Sequence, residues 1–119
     1  MSTSQLNIYG EKLKLCSNSP LTGYSRNGYC EFDKNDTGLH NVCVFLTGDF
    51  LKFTKTKGND LYPLKEGNRW CICIGRWIEA YNESLKTRND KIVPRIFGEY
   101  TNINVLNYIN KDILRKYLI

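Results

Sequence analysis

A chain of 119 residues has room for one hydrophobic core and is too short for two. Its 41% hydrophobic and 24% charged residues are ordinary for a soluble protein, which excludes global disorder, and no window approaches the ~18 apolar residues of a membrane span. The formal net charge of +5 comes from lysines and arginines spread along the whole chain, with no basic run or known module, so neither a nucleic-acid nor a membrane partner is expected. The start "MSTSQLNIYGEKLKLC" has no apolar stretch after a basic segment, so an intracellular, cytoplasmic protein is expected. Abundant Asn, Lys and Ile beside scarce Ala suggests an AT-rich genome, which speaks to origin and not to chemistry.

Residues 1–6 are polar and expected to fray, with one globular domain over 7–119. Residues 17–38, rich in Ser, Asn, Gly, Asp and Pro, read as loop with one short strand at Tyr24. The β-branched and aromatic run from Val42 to Leu46 suits a buried strand. Thr47 can then cap a helix carrying Phe50, Leu51 and Phe53 on one side, ended by Gly58. A second buried strand is expected from Trp70 to Ile74. Beyond Gly75, the spacing of Trp77, Ile78, Tyr81 and Leu85 predicts a helix to about Lys86. "KIVPRIFGEY" reads as an edge strand because of Pro94, and "NVLNYI" as another strand. Asn110 is placed to cap a last helix with Ile113, Leu114 and Leu118 on its apolar side. Strands and helices without a regular β-α-β rhythm predict a single α+β domain, a small mixed or antiparallel sheet with two to three helices.

Five cysteines pose the main chemical question. In "NRWCICIGRWIE", Cys71 and Cys73 share one strand face while Trp70, Ile72 and Ile74 point the other way. Neighbours two apart on a strand are poorly placed for a disulfide. In an intracellular chain an odd count argues against a disulfide framework, so the expectation is free cysteines packed as small hydrophobes. No Cys-x₂₋₄-Cys knuckle is present. Zinc is the alternative cofactor, and only tertiary folding could gather a set from Cys16, Cys30, His40, Cys43, Cys71 and Cys73.

Two further groups stand out. "GLHNVC" puts His40 three residues before Cys43, and an imidazole beside a thiol activates it as a nucleophile. "KGNDLYP" offers Asn59 and Asp60, with Asp60 expected to hold Arg69 or Arg76, or to form with Asn59 and an arginine a pocket for a small polar ligand.

Taken together, "NIYG", "CSNSPLTGYSRNGYC", "DTGLHNVC", "FLKFTKTKGNDL" and "GNRWCICIGRW" resemble the motifs of a family of small uncharacterised bacterial proteins, domain of unknown function twenty-two thirty-seven. The resemblance runs from Asn7 to Tyr117. It puts Cys16, Arg26, Cys30, His40, Cys43, Asn59, Asp60, Arg69, Trp70, Cys71, Cys73, Arg76 and Trp77 on the family pattern, and implies no established activity. Two departures appear: "YPLKE" is shorter than the family's loop there, and Thr101 is followed by Asn102 where the family tends to carry His.

Three functions follow. The first in rank is a non-catalytic module binding a small polar or anionic molecule, or a protein, through an Arg, Trp and Asn-Asp surface with Arg26, Asn59, Asp60, Arg69 and Arg76. The second is a thiol-dependent enzyme or redox protein with Cys43 as nucleophile, His40 as base, Cys71 or Cys73 as a second sulfur, and Arg26 or Arg76 gripping an anionic substrate. The third is a structural zinc module. The binding module ranks first because each cysteine has a packing explanation and no acid-base constellation is complete in the sequence.

Overall fold

The structure, a computed structural model, describes residues 4–119. Its central strand is β1 (Val42–Phe45), where the β-branched run predicts it. Strand β1 pairs antiparallel with β2 (Arg69–Ile72) on one side and with β3 (Arg95–Ile96) on the other. Helices α1 (Gly48–Thr56), α2 (Ile74–Thr87) and α3 (Lys111–Lys116) complete an α+β domain built on a three-stranded antiparallel sheet.

Alternation along the strands decides which side is which. Val42, Val44, Ile72 and Ile96 enter the main core, where Phe50 of α1, Trp77 and Ala80 of α2 and Leu114 of α3 cover them. Trp77 is 1% exposed, donates its indole N–H to the Pro94 carbonyl and stacks on Tyr81 at 5.8 Å, so it belongs to this core and not to a recognition surface. Cys43 and Cys71, directly opposite one another in the register, fall on the other face.

Local signals place the helices. Thr47 caps α1 by accepting the Phe50 N–H at 3.0 Å. Lys57 ends α1 and Gly58 follows at φ +86°, a conformation glycine adopts without strain. Asn110 caps α3 by accepting the Asp112 N–H.

Three expectations are corrected. "KIVPRIFGEY" pairs only at Arg95–Ile96, flanked by 3-10 turns at Asp90–Ile92 and Gly98–Tyr100. "NVLNYI" is not a strand but lies mostly within a 3-10 helix over Ile103–Asn107, because the Asn102 side chain accepts the Asn104 N–H and starts a turn. Tyr24 lies in a turn region instead of a strand. At the N-terminus, residues 1–3 of the segment expected to fray lie outside the described residues. Gln5 exchanges hydrogen bonds with the Phe32 backbone, and Leu6 bridges to Lys12.

The largest correction concerns the sulfurs. The loop before β1 folds across the second face of the sheet and brings Cys16 to Cys43 and Cys30 to Cys71, with Cα atoms 5.9 and 5.4 Å apart, inside bridging range. Both pairs form disulfides, so the expectations of free cysteines and of no disulfide framework do not hold. Separations of 27 and 41 residues hid these pairings, which depend on where the loop returns and not on spacing. The sulfurs of Cys16, Cys30 and Cys71 lie within 4.8 Å of one another, but bonded in disulfides they offer no thiolate to zinc. The odd cysteine is Cys73, the one free thiol among the described residues.

Candidate thiol site

Cys73 occupies the junction where β2 ends and α2 begins. Its backbone is extended (φ −61°, ψ 133°) and it is the N-cap of α2, with no side-chain capping bond. The cap puts its sulfur beside the first turn of a 14-residue helix, whose aligned peptide dipoles and unpaired N–H groups favour negative charge. The Ile74 N–H is taken by the Leu39 carbonyl at 3.2 Å. The next amide, Gly75, has no intrahelical acceptor at this position, and a Cβ there would meet nothing within 4 Å.

The segment 36–40 brings the imidazole. Asp36, its carboxylate side chain 2% exposed, accepts the Gly38 N–H at 3.1 Å, the His40 N–H at 2.8 Å and His40 Nδ1 at 2.8 Å. One buried carboxylate thus folds the turn and orients the ring. Leu39, at φ +50°, reverses the chain so that its carbonyl docks on α2. His40 Nε2 then lies 3.0 Å from Cys73 Sγ. Gly38 is required by the closeness of this arrangement: a Cβ there would lie 2.8 Å from His40 Cε1 and 3.1 Å from Cys73 Sγ.

The His40 pKa is pushed up to about 9, chiefly by the hydrogen bond to Cys73, with partial burial opposing and Asp36 adding to the rise. At neutral pH the ring is therefore an imidazolium, donating Nδ1–H to Asp36 and Nε2–H to the sulfur.

Cys73 and His40 open onto a cavity of about 510 Å³. Arg26, Asn59 and Asp60 line the same cavity, together with Tyr24, Tyr62 and Trp70. Arg26 lies with its guanidinium 5.2 Å over the Trp70 ring and donates to the Gly23 carbonyl. Asp60 accepts the Tyr62 N–H at 3.0 Å. Asn59 donates its amide to Thr54 Oγ1, tying the cavity wall to α1.

The remaining sequence-predicted residues lie elsewhere. Arg69 sits over Phe97 and Tyr100, at 5.8 and 5.5 Å from their ring centroids. Arg76 bonds the Lys57 carbonyl and Glu79, so neither arginine is held by Asp60. Cys43 is fully buried and bonded to Cys16, and so has no thiol for His40 to activate. The thiol that meets the imidazole is Cys73, 33 residues away in sequence. Asp36 was missed, although the Asp-x-x-x-His spacing of "DTGLH" carried a signal: a carboxylate that closes a turn can reach the ring it delivers.

Fold and site together define an α+β domain with a Cys-His-Asp constellation at a helix N-terminus, stapled by two disulfides. The chain belongs to the family described as an uncharacterized protein conserved in bacteria (DUF2237), which it matches over residues 6–118. A search of curated proteins finds no match. Among the described residues, no helix is long and apolar enough to cross a membrane.

Proposed function

We propose that this domain is a thiol-dependent enzyme of acyl transfer or hydrolysis, with Cys73 as nucleophile, His40 as its acid-base partner and Asp36 as the group that orients the imidazole. One observation carries the reading: Sγ lies 3.0 Å from Nε2 while Nδ1 lies 2.8 Å from a buried carboxylate. Nucleophile, base and orienting group in hydrogen-bond reach are the geometric signature of covalent catalysis by a thiol. This reverses the ranking drawn from sequence, in which the absence of a complete acid-base set favoured a binding module.

The chemistry follows from the placements. With its proton carried on His40 Nε2, the Cys73 sulfur attacks an acyl carbon presented in the cavity, forming a carbon–sulfur bond. The developing oxyanion is met by the positive end of α2, whose N-cap is Cys73 itself. His40 gives its Nε2 proton to the leaving group as the carbon–heteroatom bond breaks, then takes one from water, whose hydroxide adds to the thioester and breaks the carbon–sulfur bond, returning the Cys73–His40 pair to its starting state. Asp36 holds the ring in register throughout and lies too deep to touch substrate.

The test is acylation by an activated ester. Incubating the protein with p-nitrophenyl acetate is expected to add one acetyl group, mapped to Cys73 by peptide mass spectrometry, with a burst of nitrophenolate that Cys73→Ser abolishes and His40→Ala slows at least tenfold. Acetylation confined to lysines, or a burst indifferent to His40, sinks the proposal.

A further inference from the structure

Two charged side chains that line the cavity form no ion pair among the described residues. Arg26 adopts φ +55°, uncommon for a residue with a side chain. Its guanidinium meets the Trp70 face and donates to the Gly23 carbonyl. One N–H of five is used there, and no ion pair joins Arg26 to a carboxylate among the described residues. Asp60 is likewise held by the Tyr62 N–H and pairs with no cation among them.

Arg26 and Asp60 each bond a different backbone group, and no ion pair joins the two. A cavity lined by a guanidinium and a carboxylate, both with vacant hydrogen-bonding capacity, is complementary to a ligand bearing both charges. The fork suits a carboxylate, which it grips bidentately. The aspartate suits an ammonium. The space of about 510 Å³ fits a ligand of this small-molecule size, and the Cys73–His40 pair lines the same space.

We infer that the site takes a free α-amino acid whose side chain ends in an amide or ester, Arg26 holding the α-carboxylate, Asp60 the α-ammonium, and the side-chain acyl carbon lying against Cys73. The inference rests on the thiol-enzyme reading and names its substrate class. In the reaction the sulfur displaces the amine or alcohol from the side-chain carbonyl, His40 protonates the departing group, and water releases the side chain as a carboxylic acid with the thiol regenerated.

The experiment measures alkylation of native, full-length protein by iodoacetamide, following Cys73 by mass spectrometry with and without L-glutamine or L-asparagine. Cys73 is expected to react at least tenfold faster than a small free thiol at pH 7. At saturation the free amino acids are expected to slow alkylation at least fivefold, whereas their N-acetyl methyl esters, which lack both charges, give no protection. In Arg26→Gln and Asp60→Asn the ratio of rates with and without amino acid is expected to fall to near one. The asparagine keeps the acceptor for the Tyr62 N–H, so this second variant retains the loop. Fast alkylation without protection, or equal protection by the blocked esters, overturns the substrate class and leaves the thiol reading standing. Alkylation no faster than that of a free thiol overturns both.

Discussion

Replacing Cys73 by alanine removes the largest influence on His40, and its consequence can be worked through. The imidazole lies at about 9 instead of its usual 6.5. For a fully buried group that difference corresponds to on the order of 3 kcal/mol. The His40 side chain is 38% exposed, so solvent screening reduces the contribution to about 1 kcal/mol. Because the folded-state value is raised, this stability is fully present below pH 6.5 and is lost as pH rises through about 9. The chain holds one histidine, so its ring proton resonance can be followed in a proton NMR titration without assignment. Wild type is expected to titrate near pH 9, and Cys73→Ala to fall well toward 6.5, with Asp36 holding it somewhat above. Urea unfolding at pH 6 and pH 10 should show the wild-type advantage over the variant shrinking by about 1 kcal/mol at the higher pH. A wild-type histidine titrating near 6.5, or one that ignores the loss of Cys73, refutes the reasoning.

Other perturbations test the supporting residues. Asp36→Asn leaves one acceptor oxygen where three N–H donors converge. It should cost about 2 kcal/mol by thermal or urea unfolding and lower the His40 titration point, while slowing Cys73 alkylation. Gly38→Ala drives a methyl group against the imidazole and the sulfur; we expect Cys73 reactivity to fall at least fivefold, with unfolding changed by about 1–2 kcal/mol. Removing the Cys30–Cys71 link with paired alanines opens a 41-residue loop, which should destabilise the domain by about 4 kcal/mol in the chain-entropy account. Non-reducing peptide mapping of the wild-type protein should recover this link and Cys16–Cys43; four alkylatable thiols besides Cys73 in protein unfolded without reductant would contradict it.

What the sequence revealed and what it concealed divide along the range of the interactions. Thr47, Gly58 and Asn110 announce helix ends because a cap acts on amides two or three residues away. The run at Val42 announces a strand because its β-branched side chains suit a buried sheet. "NVLNYI" misleads for the same reason in reverse: its apolar residues fit a strand, yet the preceding Asn102 commits the backbone to a turn. The sulfur chemistry is settled by tertiary return. Cys43 stands three residues from His40 and is captured by Cys16 on the opposite sheet face, while Cys73 reaches the imidazole because β2 lies beside β1 and ends at the loop that carries it. Arg26 and Asp60 were recognisable as polar candidates, and only the fold sets them in one cavity with Cys73, apart from Arg69 and Arg76.

The most direct measurement is the second-order rate of iodoacetamide with Cys73 at pH 7, compared between wild type and His40→Ala. A sulfur facing an imidazolium and a helix N-terminus should react at least tenfold faster in the wild-type protein, with Cys73 the first site modified. Equal rates in the two proteins would mean that the imidazole does nothing for the thiol.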